Sequence, residues 1–182
     1  MLSREEQHAL LERARESIAL ALAGRGEDLP RQVPAGMLAR PAGAFVTIRL
    51  AGELRGCIGY VMPDLPLAQV VEEVAVKAAT EDPRFPRLTQ SEFANSSLEV
   101  SVLSPPEKVE DLTEITVGRD GLIVERGNRR GLLLPQVATE QEWDREMFLS
   151  QTCRKAGLPS GAWKEPETRV FRFGAEVFGE EG

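Results

Sequence analysis

Apolar and polar positions repeat along the chain with two periods, and each change of period marks a predicted element. Apolar residues at helical spacing within 4–23 and within 67–78 predict two amphipathic helices. Apolar residues at every second position predict strands over 44–50, 54–60 and 98–102. Hairpin-like strands with separated helices favour an α+β fold over one wound from repeated strand–helix–strand units.

Capping and turn residues set the ends of these elements. Ser3 with Glu6 forms a capping box ahead of the first helix. Asp82 ends the second helix, because a residue that precedes a proline, here Pro83, avoids the helical region.

The pattern changes after the paired prolines at 105–106. Two apolar runs flank Gly127-Asn128, which predicts a hairpin. Thr139 with Glu142 predicts a second capping box, and the helix that it opens is expected to end at Gly157.

The last alternating segment, 171–177, is expected to rejoin the first sheet. The sequence therefore predicts two lobes. The larger lobe comprises residues 1–104 and 166–182, and the smaller lobe comprises residues 105–165.

Composition narrows the classes of function. The 182 residues carry a net charge of −7, which disfavours a general nucleic-acid-binding surface. The single histidine, His8, lies in a polar helix and leaves serine–histidine or cysteine–histidine catalysis without its base. Two cysteines, Cys57 and Cys153, are too few for a disulfide scaffold or a four-thiolate zinc site. No metal and no cofactor is predicted.

The chain shows no targeting or membrane signal. It contains no apolar run of about 18 residues. Its first residues are too polar for a signal peptide, so the sequence predicts a cytoplasmic protein.

The most unusual segment is a hexapeptide, Leu54-Arg55-Gly56-Cys57-Ile58-Gly59. In a strand, Leu54 and Ile58 would face the core and Arg55 and Cys57 would share the other face. The two glycines are expected to leave room for a ligand or a neighbouring backbone. A neighbouring arginine lowers the pKa of a thiol and activates it. The alternative is a packed cysteine with an arginine that binds a carbonyl group.

Other polar residues have two interpretations as well. Arg84 with Asp82 would clamp an anion or, alternatively, fix a proline-flanked turn while Phe85 fills the core. Glu99 and Ser101, on the polar face of their strand, would line the same site or face solvent. Arg126, Arg129 and Arg130 form a local basic spot that could meet an anion. Arg129 and Arg130, next to the hairpin turn, are expected to form a solvated tip, with phosphate binding as the alternative.

The chain resembles the AMMECR domain family, whose signature is this hexapeptide. Further matching segments extend over nearly the whole chain: Gly43-Ala44-Phe45-Val46-Thr47, Asp82-Pro83-Arg84-Phe85, Glu99-Val100-Ser101-Val102-Leu103, Gly118-Arg119-Asp120-Gly121-Leu122, Leu133-Leu134-Pro135-Gln136-Val137 and Lys155-Ala156-Gly157-Leu158. The resemblance implies a two-lobe α+β fold with an antiparallel sheet in each lobe, flanking helices and the hexapeptide at an inter-lobe cleft. Many relatives carry histidine where this chain has Asp120.

The resemblance also implies partners. Bacterial and archaeal relatives are called AmmeMemoRadiSam system protein A, after their association with Memo-like and radical-SAM proteins. The first hypothesis is therefore a binding module that holds a protein or peptide in the cleft, within such a modification pathway. The alternative is an enzyme that uses Cys57 assisted by Arg55. The candidate binding residues are Leu54, Arg55, Gly56, Cys57, Ile58, Gly59, Asp82, Arg84, Glu99, Ser101 and Asp120.

Overall fold

The computed structural model describes residues 1–28, 32 and 34–180, and these form an α+β fold with two antiparallel four-stranded sheets. This confirms the predicted fold class. The chain divides into two units. The first spans Met1–Leu103 together with the C-terminal segment from Glu176, and the second spans Ser104–Ala175.

The first unit is a sheet covered by helices. Its strand order is β2-β1-β3-β8, so β2 lies at one edge of the sheet. The elements are α1 (Arg4–Leu22), β1 (Ala44–Leu50), β2 (Glu53–Tyr60), α2 (Leu67–Thr80), α3 (Gln90–Ala94), β3 (Ser96–Leu103) and β8 (Ala175–Gly179).

The amphipathic patterns place the first core between the helices and the sheet. Ser3 caps α1, since its side chain accepts the backbone N–H of Glu6 while the Glu6 carboxylate accepts the N–H of Ser3. The apolar faces of α1 and α2 meet one face of the sheet, where Leu10, Val74 and Ile48 are fully buried. The opposite face of β1, β2 and β3 carries Thr47, Cys57 and Glu99 beside apolar residues such as Phe45.

The second unit has a sheet of its own, in the order β4-β7-β5-β6. Its elements are β4 (Glu107–Lys108), β5 (Gly121–Arg126), β6 (Arg129–Leu133), α4 (Pro135–Glu140), α5 (Arg145–Lys155) and β7 (Arg169–Phe173). The predicted hairpin is present: Arg126 pairs with Arg129 around a two-residue turn in which Gly127 has a φ of 61°. Phe148 of α5 is fully buried in the core of this unit.

The end of the chain differs from the prediction of one strand that rejoins the first sheet. It forms two strands that meet at Gly174, and only β8 belongs to the first sheet. Strand β7 pairs with β5 and β4, so residues 166–175 lie in the second unit and not with the first, where the sequence analysis placed them. The alternation of side chains is alike in β7 and β8, and it does not indicate which sheet each joins.

The predicted capping box at Thr139 and Glu142 is wrong. Glu142 has a φ of 55°, outside the helical region, and its backbone follows the end of α4. Asp144 caps the next helix instead, because its carboxylate accepts the backbone N–H of Met147 at 2.8 Å. Helix α5 ends as predicted just before Gly157, which has a φ of 76°.

Candidate functional site

The hexapeptide lies on the edge strand β2, and among the described strands only β1 pairs with it. The register places Cys57 opposite Thr47, Gly56 opposite Ile48 and Leu54 opposite Arg49. Arg55 is therefore the extra residue of a β-bulge. The bulge shifts the alternation of side chains at the start of the hexapeptide.

Because of the bulge, two residues of the hexapeptide, Leu54 and Arg55, lie differently from the prediction. Leu54, expected in the core, shares the open face with Arg49 and is 38% exposed. Arg55 does not turn toward the thiol, since its guanidinium donates two hydrogen bonds to Glu92 and lies 5.7 Å from the ring centroid of Phe85. Its side chain is 11% exposed. Ile58 packs against the first core, as predicted.

The two glycines of the hexapeptide make room for the protein's own packing and not for a ligand. A Cβ atom on Gly56 would lie 2.3 Å from the carbonyl oxygen of Ala78, so helix α2 approaches the strand only because position 56 has no side chain. A Cβ atom on Gly59 would lie 2.3 Å from the ring of Phe45. Of the two expected neighbours, a backbone or a ligand, the backbone of α2 is the one found at Gly56, and at Gly59 the close neighbour is the Phe45 side chain.

The thiol of Cys57 belongs to a row of polar side chains that crosses three strands. Cys57 lies opposite Thr47, and Thr47 lies opposite Glu99, so all three point to the face away from the helices. The thiol sulfur and the Thr47 hydroxyl oxygen are 3.2 Å apart and share a hydrogen bond. We call these three residues the Cys57 row. Cys57 and Glu99 are half-buried, and Thr47 is buried.

Ser101 lies in the next row of the same face. It pairs with Phe45, and Phe45 pairs with Gly59 on the other side. Ser101 is buried. The structure thus brings together Cys57, Glu99 and Ser101 of the predicted site, on one face of one sheet.

Asp82 and Arg84 close the free edge of β2 at Cys57. The backbone N–H of Cys57 donates to Asp82 Oδ2 at 2.9 Å, and Arg84 Nη2 donates to the carbonyl oxygen of Cys57 at 3.3 Å. Asp82 also accepts the backbone N–H and the guanidinium of Arg84. Together the two side chains take the place of a neighbouring strand at this residue.

This arrangement fixes the charge of Asp82, whose side chain is 2% exposed. Hydrogen bonds from the Arg84 side chain lower the pKa of Asp82 far below its ordinary value. Burial opposes the shift, while the backbone N–H groups of Cys57 and Arg84 add to it. Asp82 raises the pKa of Arg84 in return through its hydrogen bonds and its charge, while burial opposes the shift.

Asp120 is the one predicted site residue that belongs to the second unit. Its carboxylate accepts two hydrogen bonds from the Arg119 guanidinium and one from the backbone N–H of Thr116. Burial acts to raise the pKa of Asp120, but these hydrogen bonds outweigh burial and hold the pKa below its usual range. The side chain therefore stays ionised and fixes the turn that precedes β5.

Two residues that define the site, Thr47 and Glu92, are not among the predicted site residues. The sequence shows Thr47 as a polar residue that alternates with apolar residues on β1. It does not show the strand register that places Thr47 beside Cys57. Glu92 carries a local signal, because Thr89 with Glu92 forms a capping box for α3. The backbone N–H of Thr89 and then the guanidinium of Arg55 lower the pKa of Glu92.

The remaining chemistry-bearing residues lie apart from this face. His8 lies on α1 and contacts Glu12. Cys153 is fully buried in the second core, and burial raises the pKa of its thiol. Within the described ranges, no group of three or more histidine, cysteine or carboxylate side chains is arranged to hold a metal ion. The same residues include no helix with the length and apolar character needed to cross a bilayer.

Comparison with known proteins places this geometry in a family. A family model described as AMMECR1 matches residues 11–178. A protein of Methanothermobacter thermautotrophicus is 50% identical over 188 residues, which cover 100% of this chain and 97% of that protein. A protein of Thermococcus gammatolerans is 48% identical over 168 residues, which cover 87% and 82% of the two chains.

A solved structure is similar over most of the chain. The crystal structure of an uncharacterized protein, PH0010 from Pyrococcus horikoshii, has a TM-score of 0.80 and 44% sequence identity to this chain. The match covers 94% of this chain and 90% of that one. With the family model covering most of its length, the chain belongs to the AMMECR1 family.

Proposed function

We propose that the chain is a binding module and that the Cys57 row holds a protein or peptide partner. The observation that carries the proposal is the register that aligns a thiol, a hydroxyl and a carboxylate across three strands of one sheet face. These groups offer both donors and acceptors, and rigid strands hold them in position. Such a face suits the recognition of a polar segment of a partner.

The charges around the row support binding over catalysis. The thiol of Cys57 has a neutral hydroxyl as its hydrogen-bond partner. Arg55 is held by Glu92, and Arg84 is held by Asp82. The chain's one histidine, His8, lies on α1. A nucleophilic thiol is usually activated by an adjacent base or a free cation, and both cations here have carboxylate partners.

The partner that we propose is a Memo-like or a radical-SAM protein, within a shared modification pathway. This part of the proposal rests on the resemblance to AmmeMemoRadiSam proteins. A nucleic-acid partner is disfavoured, because the chain carries a net charge of −7.

Calorimetric titration of purified Memo-like and radical-SAM proteins from the same organism tests the proposal. Glu99→Gln removes the charge of the row with little change in shape, and we expect it to weaken binding by at least about tenfold. Glu27→Gln is the matched control, since Glu27 is exposed on a short 3-10 helix away from the sheet. Equal affinity of Glu99→Gln and wild type for every partner that binds would overturn the proposed role of this face.

A second candidate function is a thiol enzyme, and the half-exposed position of Cys57 favours it. The predicted assistant, Arg55, is engaged with Glu92, and the guanidinium that contacts Cys57 is that of Arg84, which donates to the Cys57 carbonyl oxygen. An adduct of a small molecule on Cys57, found by mass spectrometry of protein isolated from its own cells, would support this candidate. Substitution of Cys57 by serine would then abolish the adduct.

A further inference from the structure

The second unit contains a polar hollow of about 250 Å³ that the proposed function does not use. A water molecule occupies about 30 Å³ of liquid, so the hollow has room for a small ionic group. Its wall is formed by Ser104, Pro105, Glu107, Arg119, Asp120, Arg172, Phe173 and Gly174.

Two arginine side chains converge in this hollow. Arg119 Nη2 and Arg172 Nη1 both donate to the carbonyl oxygen of Glu114, at 3.2 and 3.3 Å. Because the two nitrogens share one acceptor, the guanidinium groups lie close together. Two like charges at this separation repel each other, and neighbouring anions offset that repulsion.

The protein supplies one firm counter-charge and one weak one. Asp120 is buried and binds Arg119 through both carboxylate oxygens. Glu107 approaches Arg172 only to 3.5 Å, and its side chain is 71% exposed. An exposed pair at this distance contributes little. Asp120 also acts on the charge of Arg172, but the carboxylate paired directly with this side chain, which is 29% exposed, is the weakly bound Glu107.

A hydroxyl group completes the set of donors. Ser104 Oγ accepts the backbone N–H of Gly174 at 2.7 Å, which fixes the hydroxyl oxygen in the wall of the hollow. The hydroxyl hydrogen remains available to a ligand, because a hydroxyl both accepts and donates. Two guanidinium groups with one hydroxyl form a donor set suited to a carboxylate or phosphate oxygen.

We propose that this hollow binds the oxyanion of a small ligand, a carboxylate or a phosphate, between Arg119 and Arg172. The anion displaces the Glu107 carboxylate from Arg172 and accepts a hydrogen bond from Ser104. Asp120 keeps its bonds to Arg119 and orients that guanidinium toward the ligand. The proposal is independent of the proposed function, which concerns the first unit.

Titration by nuclear magnetic resonance tests the proposal on the whole chain. The probes are inorganic phosphate and acetate at pH 7, each at constant ionic strength, and the signals are the arginine side-chain Nε–H resonances. We expect saturable shifts at Arg119 and Arg172. The anion with the lower dissociation constant shows whether the hollow prefers a phosphate or a carboxylate.

Three variants make the outcome decisive. Arg172→Gln should weaken binding at least about tenfold, whereas Glu107→Gln should strengthen it severalfold because it removes the competing carboxylate. Arg126→Gln is the control, since Arg126 pairs with Glu165 in another part of the same unit. Shifts that stay linear with both anions, or affinity that Arg172→Gln and Glu107→Gln leave unchanged, would overturn the proposal.

Discussion

The thiol of Cys57 and the hydroxyl of Thr47 lie 3.2 Å apart, opposite each other on neighbouring antiparallel strands. The contact gives the cysteine of the hexapeptide a neutral partner. Thr47 in turn lies opposite Glu99 in the register of the next strand pair. Cys57 therefore belongs to a polar row and not to a charged dyad, and this distinction separates the binding account from the enzymatic one.

The two cysteines should differ in their reaction with thiol reagents. Cys57 is half-buried, whereas Cys153 is fully buried with a pKa raised by burial. Iodoacetamide should add one group per native chain, at Cys57, and a second group only in urea. Peptide mapping by mass spectrometry gives the positions. Modification of Cys153 in the folded chain would show that the second core opens readily.

The rate of that reaction should depend on Arg84 more than on Arg55. Arg84 donates a hydrogen bond to the carbonyl oxygen of Cys57, whereas Arg55 is bound to Glu92. Arg84→Gln should therefore slow alkylation of Cys57 at neutral pH, and Arg55→Gln should change it less. The alkylation rate of Cys57 in each variant is measured by quenching the reaction at set times and analysing the samples by mass spectrometry. The comparison shows which arginine has the larger effect. A larger loss with Arg55→Gln would restore the predicted role of Arg55.

Asp82→Asn should destabilise the chain by about 2 kcal/mol, because the buried carboxylate accepts charge-assisted hydrogen bonds from Arg84 and the N–H of Cys57. Urea unfolding gives the free energy of unfolding. Glu27→Gln, on an exposed turn, is expected to leave it unchanged. Equal loss in the two variants would contradict the edge-closing role.

The same carboxylate should make stability depend on pH. The pKa of Asp82 is lower in the folded chain than in the unfolded chain, so its contribution is full above the unfolded value of about 3.9 and is lost as the pH falls toward the folded value. The difference in unfolding free energy between wild type and Asp82→Asn should therefore shrink below about pH 4. A difference that stays constant down to pH 2 would contradict this assignment.

Gly56→Ala should cost about 1–3 kcal/mol, since the new Cβ atom would meet the Ala78 carbonyl at 2.3 Å and displace helix α2. Gly26→Ala is the matched control, because a Cβ there meets no atom within 4 Å. Thermal unfolding of both variants gives the comparison. A stability of Gly56→Ala equal to that of the control would show that the strand and α2 separate at no cost.

The apolar periodicity of the sequence was sufficient to predict the helices and strands that bury only one face. The strands around Val46 and Val100 and the helices around Leu10 and Val74 follow from apolar spacing, since each buries one face. The strand over 171–177 could not be resolved into β7 and β8, because both halves alternate alike and the partner strands are distant in sequence.

The site depended on long-range geometry that the sequence does not encode locally. The bulge at Arg55 arises in the pairing with β1, and it reverses the expected orientation of Leu54. The contact of Asp82 with Cys57 joins residues 25 positions apart, so the turn motif alone indicated no partner for the strand edge. The glycines were recognised as close approaches, but the approaching groups, Ala78 and Phe45, were not.

The dissociation constant of the Cys57→Ser variant for the proposed protein partner tests the central claim most directly. Serine retains the hydrogen bond to Thr47 and the place of Cys57 in the row, but it removes the nucleophilic sulfur. Isothermal titration against the Memo-like or radical-SAM protein should give a constant within about threefold of wild type, a difference below about 1 kcal/mol. Complete loss of binding in Cys57→Ser, with a covalent adduct on Cys57 in wild type, would contradict the binding account and establish thiol chemistry in its place.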